Sequence, residues 1–194
     1  MRAPLILASA SPRRRELLAL LGIPFTVAAV DADETTSLGA REAVAELSRR
    51  KALAGAAAHP GCVVLAADTL VALDNVPFGK PRDEADAFRM LRCLSGREHQ
   101  VYTGVSCVAP DGAFHSGVDT STVRFCAMSD AEIRAYIASG EPMDKAGAYA
   151  LQGLAGAWIE SVSGTPSGVI GLPLPLTRKL LTACGLTVPG PGRD

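Results

Sequence analysis

Three consecutive arginines, Arg13, Arg14 and Arg15, stand behind Ser11 and Pro12, and an apolar run from Leu5 to Leu7 leads into them. Leu17, Leu18, Leu20 and Leu21 then recur at helical spacing until Gly22, so the stretch reads as strand, turn and helix. Ser11 suits the N-cap and Pro12 the first helical position, where a missing N–H costs nothing. Cations are out of place in that turn. A helix start already carries about half a positive charge, and each added cation is unfavourable by roughly 0.3–1 kcal/mol. The arginines are therefore either solvated on an exposed turn, or they join the free backbone donors and the helix dipole in receiving phosphate oxygens.

Carboxylates supply the complementary chemistry. Glu34 and Asp68 each lie near the end of an apolar, strand-like run, and an acid at the tip of a central strand faces the crevice where α/β proteins bind ligands. Singly, such acids serve as strand-end or helix-cap groups. Together, two of them can hold one Mg²⁺ or Mn²⁺, with water and phosphate completing the oxygen shell. Lys51, Lys80 and Lys145 recur beside them, each alone readable as a solvated side chain. The segment 140–149, rich in glycine and charge, carries Asp144 and Lys145 and is a second candidate functional loop.

The elements that must position these groups belong to an ordinary globular chain of 194 residues, 48% hydrophobic and 20% charged. A net charge of −1 and 5% aromatic residues offer neither a basic footprint nor a stacking platform for nucleic acid. No apolar run approaches the roughly 18–20 residues of a membrane span, and the first residues lack the regions of a signal peptide, so a cytoplasmic protein is expected. Cys62, Cys93, Cys107, Cys126 and Cys184, without a CxxC pair, read as reduced core thiols and support neither a zinc site nor a disulfide framework.

Periodicity predicts strands over 25–30, 62–67 and 157–162, helices over 41–58, 83–94 and 174–184, and a hairpin of strands 100–109 and 113–125 around Pro110-Asp111-Gly112. Asp68-Thr69 falls at the end of the second strand, Asp74-Asn75 forms a turn, and 163–171 is a turn-rich loop. Ser129 and Glu132 form a capping box. The fold class is α/β, with a mixed sheet, flanking helices and two lobes around a cleft. A single domain spans 1–188, and 189–194 is a flexible tail.

Taken as a set, Ser9-x-Ser11-Pro-Arg-Arg-x-Glu-Leu-Leu, Asp33-Glu34, Lys51-Ala52, Ala67-Asp68-Thr69, Gly79-Lys80-Pro81, Leu94-Ser95-Gly96 with His99, Thr103-Gly104, Gly140-Glu141-Pro142, the run from Asp144-Lys145 to Tyr149, Gln152-Gly153 and Gly171-Leu172-Pro173-Leu174 strongly resemble the Maf family of nucleoside triphosphate pyrophosphatases. The resemblance implies an elongated fold similar to that of inosine triphosphate pyrophosphatases, with a deep cleft between two lobes. It implies cleavage of a nucleoside triphosphate between the α and β phosphates, dependence on a divalent cation, and a homodimer. By position, Asp68 matches the proton acceptor and Arg13, Thr69 and Gln152 match positions linked to substrate choice. Ser9, Arg14, Lys51 and Lys80 match residues lining the triphosphate site, which Arg13 also borders. Thr69, Lys145 and Gln152 look like the branch acting on dTTP and UTP. The sister branch, acting on 7-methyl-GTP, tends to carry Gln, Cys and Glu there. A non-catalytic role in regulating cell division is the other reading the family suggests. Gly164-Thr165-Pro166-Ser167-Gly168 departs from the family's usual Gly-Asp-Tyr-Tyr-Asn.

Overall fold

The structure, a computed structural model, describes residues 3–189. All of the expected tail except Pro189 thus lies outside the described residues. The first turn forms as its residues dictate. Strand β1 (Leu5–Leu7) is fully buried and helix α1 (Pro12–Ala19) starts at Pro12, with the Ser11 hydroxyl accepting from the Arg14 N–H at 3.4 Å. Leu17 and Leu18 enter the core, whereas Leu20 is 72% exposed.

Strand β2 (Phe25–Val27) and helix α2 (Ala40–Ala58) follow, then β3 (Val63–Leu73), β4 (Val76–Phe78) and helix α3 (Glu84–Leu94). Strands β5 (Glu98–Val108) and β6 (Phe114–Phe125) form the expected hairpin, and α4 (Asp130–Ala138) starts at the complete Ser129/Glu132 capping box. After two short 3-10 turns, Glu141–Asp144 and Ala146–Ala148, and a third, Leu154–Trp158, come β7 (Ile159–Ser163), α5 (Pro166–Ile170) and α6 (Leu174–Ala183). Six strands run in the order β2-β1-β3-β5-β6-β7, with β4 added as a hairpin on β3. β1 is parallel to both neighbours and the other pairings are antiparallel. Asp74 and Asn75 both take positive φ, +50° and +63°, as a tight two-residue hairpin turn requires.

Three expectations are corrected here. Asp68 is in the middle of β3, which continues past it to Leu73. The apolar run ends at Ala67, but pairing with β5 runs on through Asp68, Thr69 and Ala72, and backbone pairing rather than hydrophobicity sets the strand's length. Glu34 lies in irregular chain between β2 and α2, well beyond Val27. The segment 163–171 contains helix α5, because Pro166 opens a helical turn. The cysteines need a correction as well: only Cys107 and Cys184 are buried core thiols, facing each other with sulfurs 3.0 Å apart, while Cys62 and Cys93 are half-buried and Cys126 is exposed.

Three apolar cores sit along the one sheet, two of them on the same face. One of that pair gathers Val71, Leu73, Val101, Val123 and Phe125 with α3 and α4. The other gathers Leu65, Ala67, Val105 and Cys107 with β1, α1 and α6. Strands β3 and β5 therefore pass through both. Helix α2 lies close on the opposite face through small residues, with Ala52 packed against Val64 and Ala66. Gly104 makes this approach feasible, since a Cβ there would collide with the Val44 carbonyl and stand 2.9 Å from the Ala45 nitrogen. The Gly104→Ala protein is expected to lose at least about 2 kcal/mol of stability, the scale of an overpacked contact that only a backbone shift relieves. Urea unfolding at equilibrium measures it, and an unchanged midpoint contradicts the tight contact.

Candidate active site

On one edge β3 pairs with β1 only up to Leu65 and with β4 only from Val71. Between them that edge has no strand partner, and a cleft of ≈ 730 Å³ opens there, within the range of small-molecule sites. Successive strand residues point to opposite faces. At a bare edge both faces are reachable, so Asp68 and Thr69 both line the cleft. The two halves of the site are thus brought together by a missing neighbour.

On the α2 face, Lys51 extends between two acids. Its Nζ lies 2.6 Å from Asp68 Oδ1 and 2.7 Å from Glu34 Oε1. Lys51 and Asp68 are each 12% exposed in their side chains and Glu34 66%, so the first pair is screened from water and the second open to it. The Lys51 ammonium holds the Glu34 carboxyl below its ordinary range, with smaller help from Lys80 and Arg14. Lys80 lines the same cleft from the loop after β4, and the Gly147 N–H donates to the Gly79 carbonyl at 3.0 Å, tying that loop to the 140–149 segment.

On the other face Arg14 is held from three sides. Its Nε donates to the Gly171 carbonyl at 2.9 Å, one terminal nitrogen to Ser9 Oγ at 3.4 Å and the other to Thr69 Oγ1 at 3.2 Å. Burial lowers its pKa, partly opposed by the Asp68 charge. The protons behind it have one direction. Thr103 Oγ1 donates to the Gly168 carbonyl at 2.8 Å, so in its 2.9 Å contact with Thr69 it must accept. Thr69 then donates to Thr103 and accepts from Arg14. Its single proton is committed to the protein, which makes Thr69 a holder of Arg14 in this arrangement.

At the rim Arg13 donates to Asp144 Oδ2 at 3.2 Å, and Lys145 also bonds Asp144. Burial of Asp144 favours protonation, but these two cations outweigh it and lower its pKa. Gln152 lines the cleft from the loop after Tyr149, whose hydroxyl meets His99 Nε2 at 2.8 Å. Burial lowers the His99 pKa to about 4, so its ring is neutral.

Ser9, Arg13, Arg14, Glu34, Lys51, Asp68, Thr69, Lys80, Asp144, Lys145 and Gln152 all border this one cleft. Of the three arginines only Arg15 turns away, exposed to solvent. What sequence reasoning did not give is the supporting role of residues it had only placed in motifs: Thr103, the Gly168 and Gly171 carbonyls, and the His99–Tyr149 pair. Thr103, a polar residue inside the expected strand 100–109, is the one local signal among them.

As a holder of a divalent cation the donor set fits. Glu34 and Asp68 come from different elements and already converge on one positive centre, the Lys51 ammonium, and their hard oxygens suit Mg²⁺ or Mn²⁺. Among the described residues no group of three or more His, Cys, Asp or Glu gathers at one point, so two acids are what the chain offers there.

Fold and cleft define the class first: an α/β protein whose sheet edge sets arginines and lysines against two carboxylates in one cleft. The chain belongs to the Maf-like protein family, whose profile matches residues 4–184. It is 50% identical over 192 residues to the dTTP/UTP pyrophosphatase of Shewanella sp. (strain MR-7), covering 94% of this chain and 98% of that one. It is 53% identical over 187 residues to the dTTP/UTP pyrophosphatase of Myxococcus xanthus (strain DK1622), covering 95% and 94%. A partial structural likeness to the Staphylococcus aureus Ham1 protein spans 63% of this chain and 71% of that one, at TM-score 0.48 and 20% identity.

Proposed function

We propose that this protein is a nucleoside triphosphate pyrophosphatase that hydrolyses dTTP and UTP to the monophosphate and pyrophosphate. The observation that carries the reading is the convergence of Arg13, Arg14, Lys51 and Lys80 with Asp68 and Glu34 in one cleft. Water attacks the α phosphorus, the bond to the bridging oxygen breaks, and pyrophosphate leaves with the electron pair. Negative oxygens repel the nucleophile, so the cations and the Ser9 hydroxyl must engage the phosphates first. Lys51 gains phosphate partners in that complex, which releases Asp68 to take the proton of the attacking water. Glu34 and Asp68 would hold a divalent metal, which when bound neutralises phosphate charge and acidifies a coordinated water.

Gln152 reads the base in this account. Its amide donates and accepts at once, matching the O4 and N3–H edge of uracil or thymine. Arg13 acts at the same end of the cleft through its contact with Asp144, and Thr69 influences choice by fixing Arg14. By family resemblance the enzyme works in the cytoplasm as a homodimer, and no helix among the described residues is long and apolar enough to cross a membrane.

The test is a panel of nucleoside triphosphates with Mg²⁺ or Mn²⁺, read as pyrophosphate release. The expected result is release fastest from dTTP and UTP, and silence across the panel overturns the proposal. Gln152→Glu should reorder the substrates, because a carboxylate cannot donate to O4. An unchanged ranking by kcat/KM removes Gln152 from base reading.

A further inference from the structure

Gln152 is carried by a loop that has to hold its amide still, and the support comes from outside the cleft. Glu141 Oε1 accepts from the Tyr136 hydroxyl at 2.7 Å, and Glu141 Oε2 accepts from the Leu154 N–H at 3.0 Å. The Tyr136 oxygen in turn accepts from the Ala150 N–H at 3.3 Å. Ala150 and Leu154 flank Gln152 by two residues on each side, so one carboxylate and one phenol fasten both shoulders of the loop. The Gly153 N–H closes it with a 3.2 Å bond to the Ala150 carbonyl. A Cβ at Gly153 would collide with the Glu141 carboxylate, so the loop sits directly on its support.

Neither Tyr136 nor Glu141 lines the cleft. Tyr136 is 2% exposed and belongs to the core around α3 and α4. Burial raises the Tyr136 pKa and the bond to Glu141 raises it further, so the phenol keeps its proton and donates. Burial also opposes ionisation of Glu141, but the Leu154 N–H and the Tyr136 hydroxyl outweigh it and its pKa is lowered. The Lys145 Nζ donates to the Glu141 carbonyl at 3.1 Å, which links the support to the cationic rim.

We infer that Glu141 and Tyr136 are positioning residues for base selection, acting through the 150–154 loop on the Gln152 amide. The inference rests on the proposed reading of Gln152. A base edge is discriminated by groups held in register with it, and a displacement near 1 Å costs up to about 10²-fold. Loosening the support therefore erodes the preference between bases, whereas damage to folding alone lowers all substrates by one factor.

The experiment compares kcat/KM for dTTP and dCTP, which share sugar and phosphates and differ at the base edge. Tyr136→Phe removes the bridge to Ala150, and Glu141→Ala removes the acceptor of the Leu154 N–H, so each variant frees one shoulder. Gln152→Ala is the reference. The ratio does not depend on the fraction of folded enzyme, so a destabilised variant still reports. The expected result is a dTTP:dCTP ratio reduced at least about tenfold in both support variants, as in Gln152→Ala. A lowered ratio in Gln152→Ala with an unchanged ratio in both support variants overturns the inference and leaves the base reading standing. The reverse pattern overturns the reading of Gln152 and, with it, the inference that the support acts on that amide. No change in any of the three, or no preference in the unaltered enzyme, sinks both.

Discussion

Asp68→Asn enzyme is expected to bind nucleotide and to turn it over about 10²- to 10⁴-fold more slowly, the range for a lost acid–base group. The substitution keeps the shape of the side chain and removes its capacity to take a proton. Lys51 keeps Glu34 as a partner at 2.7 Å, so the cation is not stranded. Asp68 is 9% exposed and lies mid-strand with backbone pairing to Gly104 on β5, so the amide is carried in the same place. Steady-state rates, with affinity measured by calorimetry on the inactive protein, check both halves. Turnover within about threefold of the unaltered enzyme, well short of that loss, assigns the base elsewhere. Affinity lost in parallel with rate shows that Asp68 organises the site instead of acting in the chemical step.

Arg14→Lys is the second large effect, because charge alone does not replace a fork. Three of the five guanidinium N–H groups go to Gly171, Ser9 and Thr69, which leaves two for the substrate. Hydrogen bonds to charged groups contribute about 1.5–3 kcal/mol each, so Arg14→Met is expected to lower kcat/KM by about 10²- to 10⁴-fold. A lysine carries its three donors on one rotating atom and cannot hold the Gly171 carbonyl, Thr69 and a phosphate together. Its variant should recover less than about tenfold of the loss, the share that a point charge supplies without the bidentate geometry. Initial rates at subsaturating dTTP measure it. Full recovery by lysine means that Arg14 serves only as a positive charge.

Much of this was legible from residue types. The Ser11-Pro12 start of α1, the Ser129/Glu132 box and the hairpin expected over 100–125 are local events, and local chemistry decides them. The conflict between a cationic first turn and the helix dipole pointed to an anion, and Arg13 and Arg14 do face the cleft. The same reasoning placed Asp68 at a strand tip because it followed hydrophobicity, whereas β5 pairs with β3 well beyond Ala67. The cleft exists because β1 stops early, a fact about a neighbour sixty residues away in the chain. The directed bonds from Arg14 through Thr69 and Thr103 to Gly168 join four elements and leave no trace in any one of them. The support of Gln152 by Glu141 and Tyr136 was hidden for the same reason.

Because β3 and β5 each run unbroken through both apolar cores of one face, the cleft is cut into a single woven fabric, and its floor belongs to the same sheet that both cores rest on. That floor is set when the chain folds, ahead of any ligand. Only the fringes, such as the Arg13–Asp144 contact, are left to yield when a substrate enters. On the proposed reading, discrimination then depends on how firmly those fringes are stitched down.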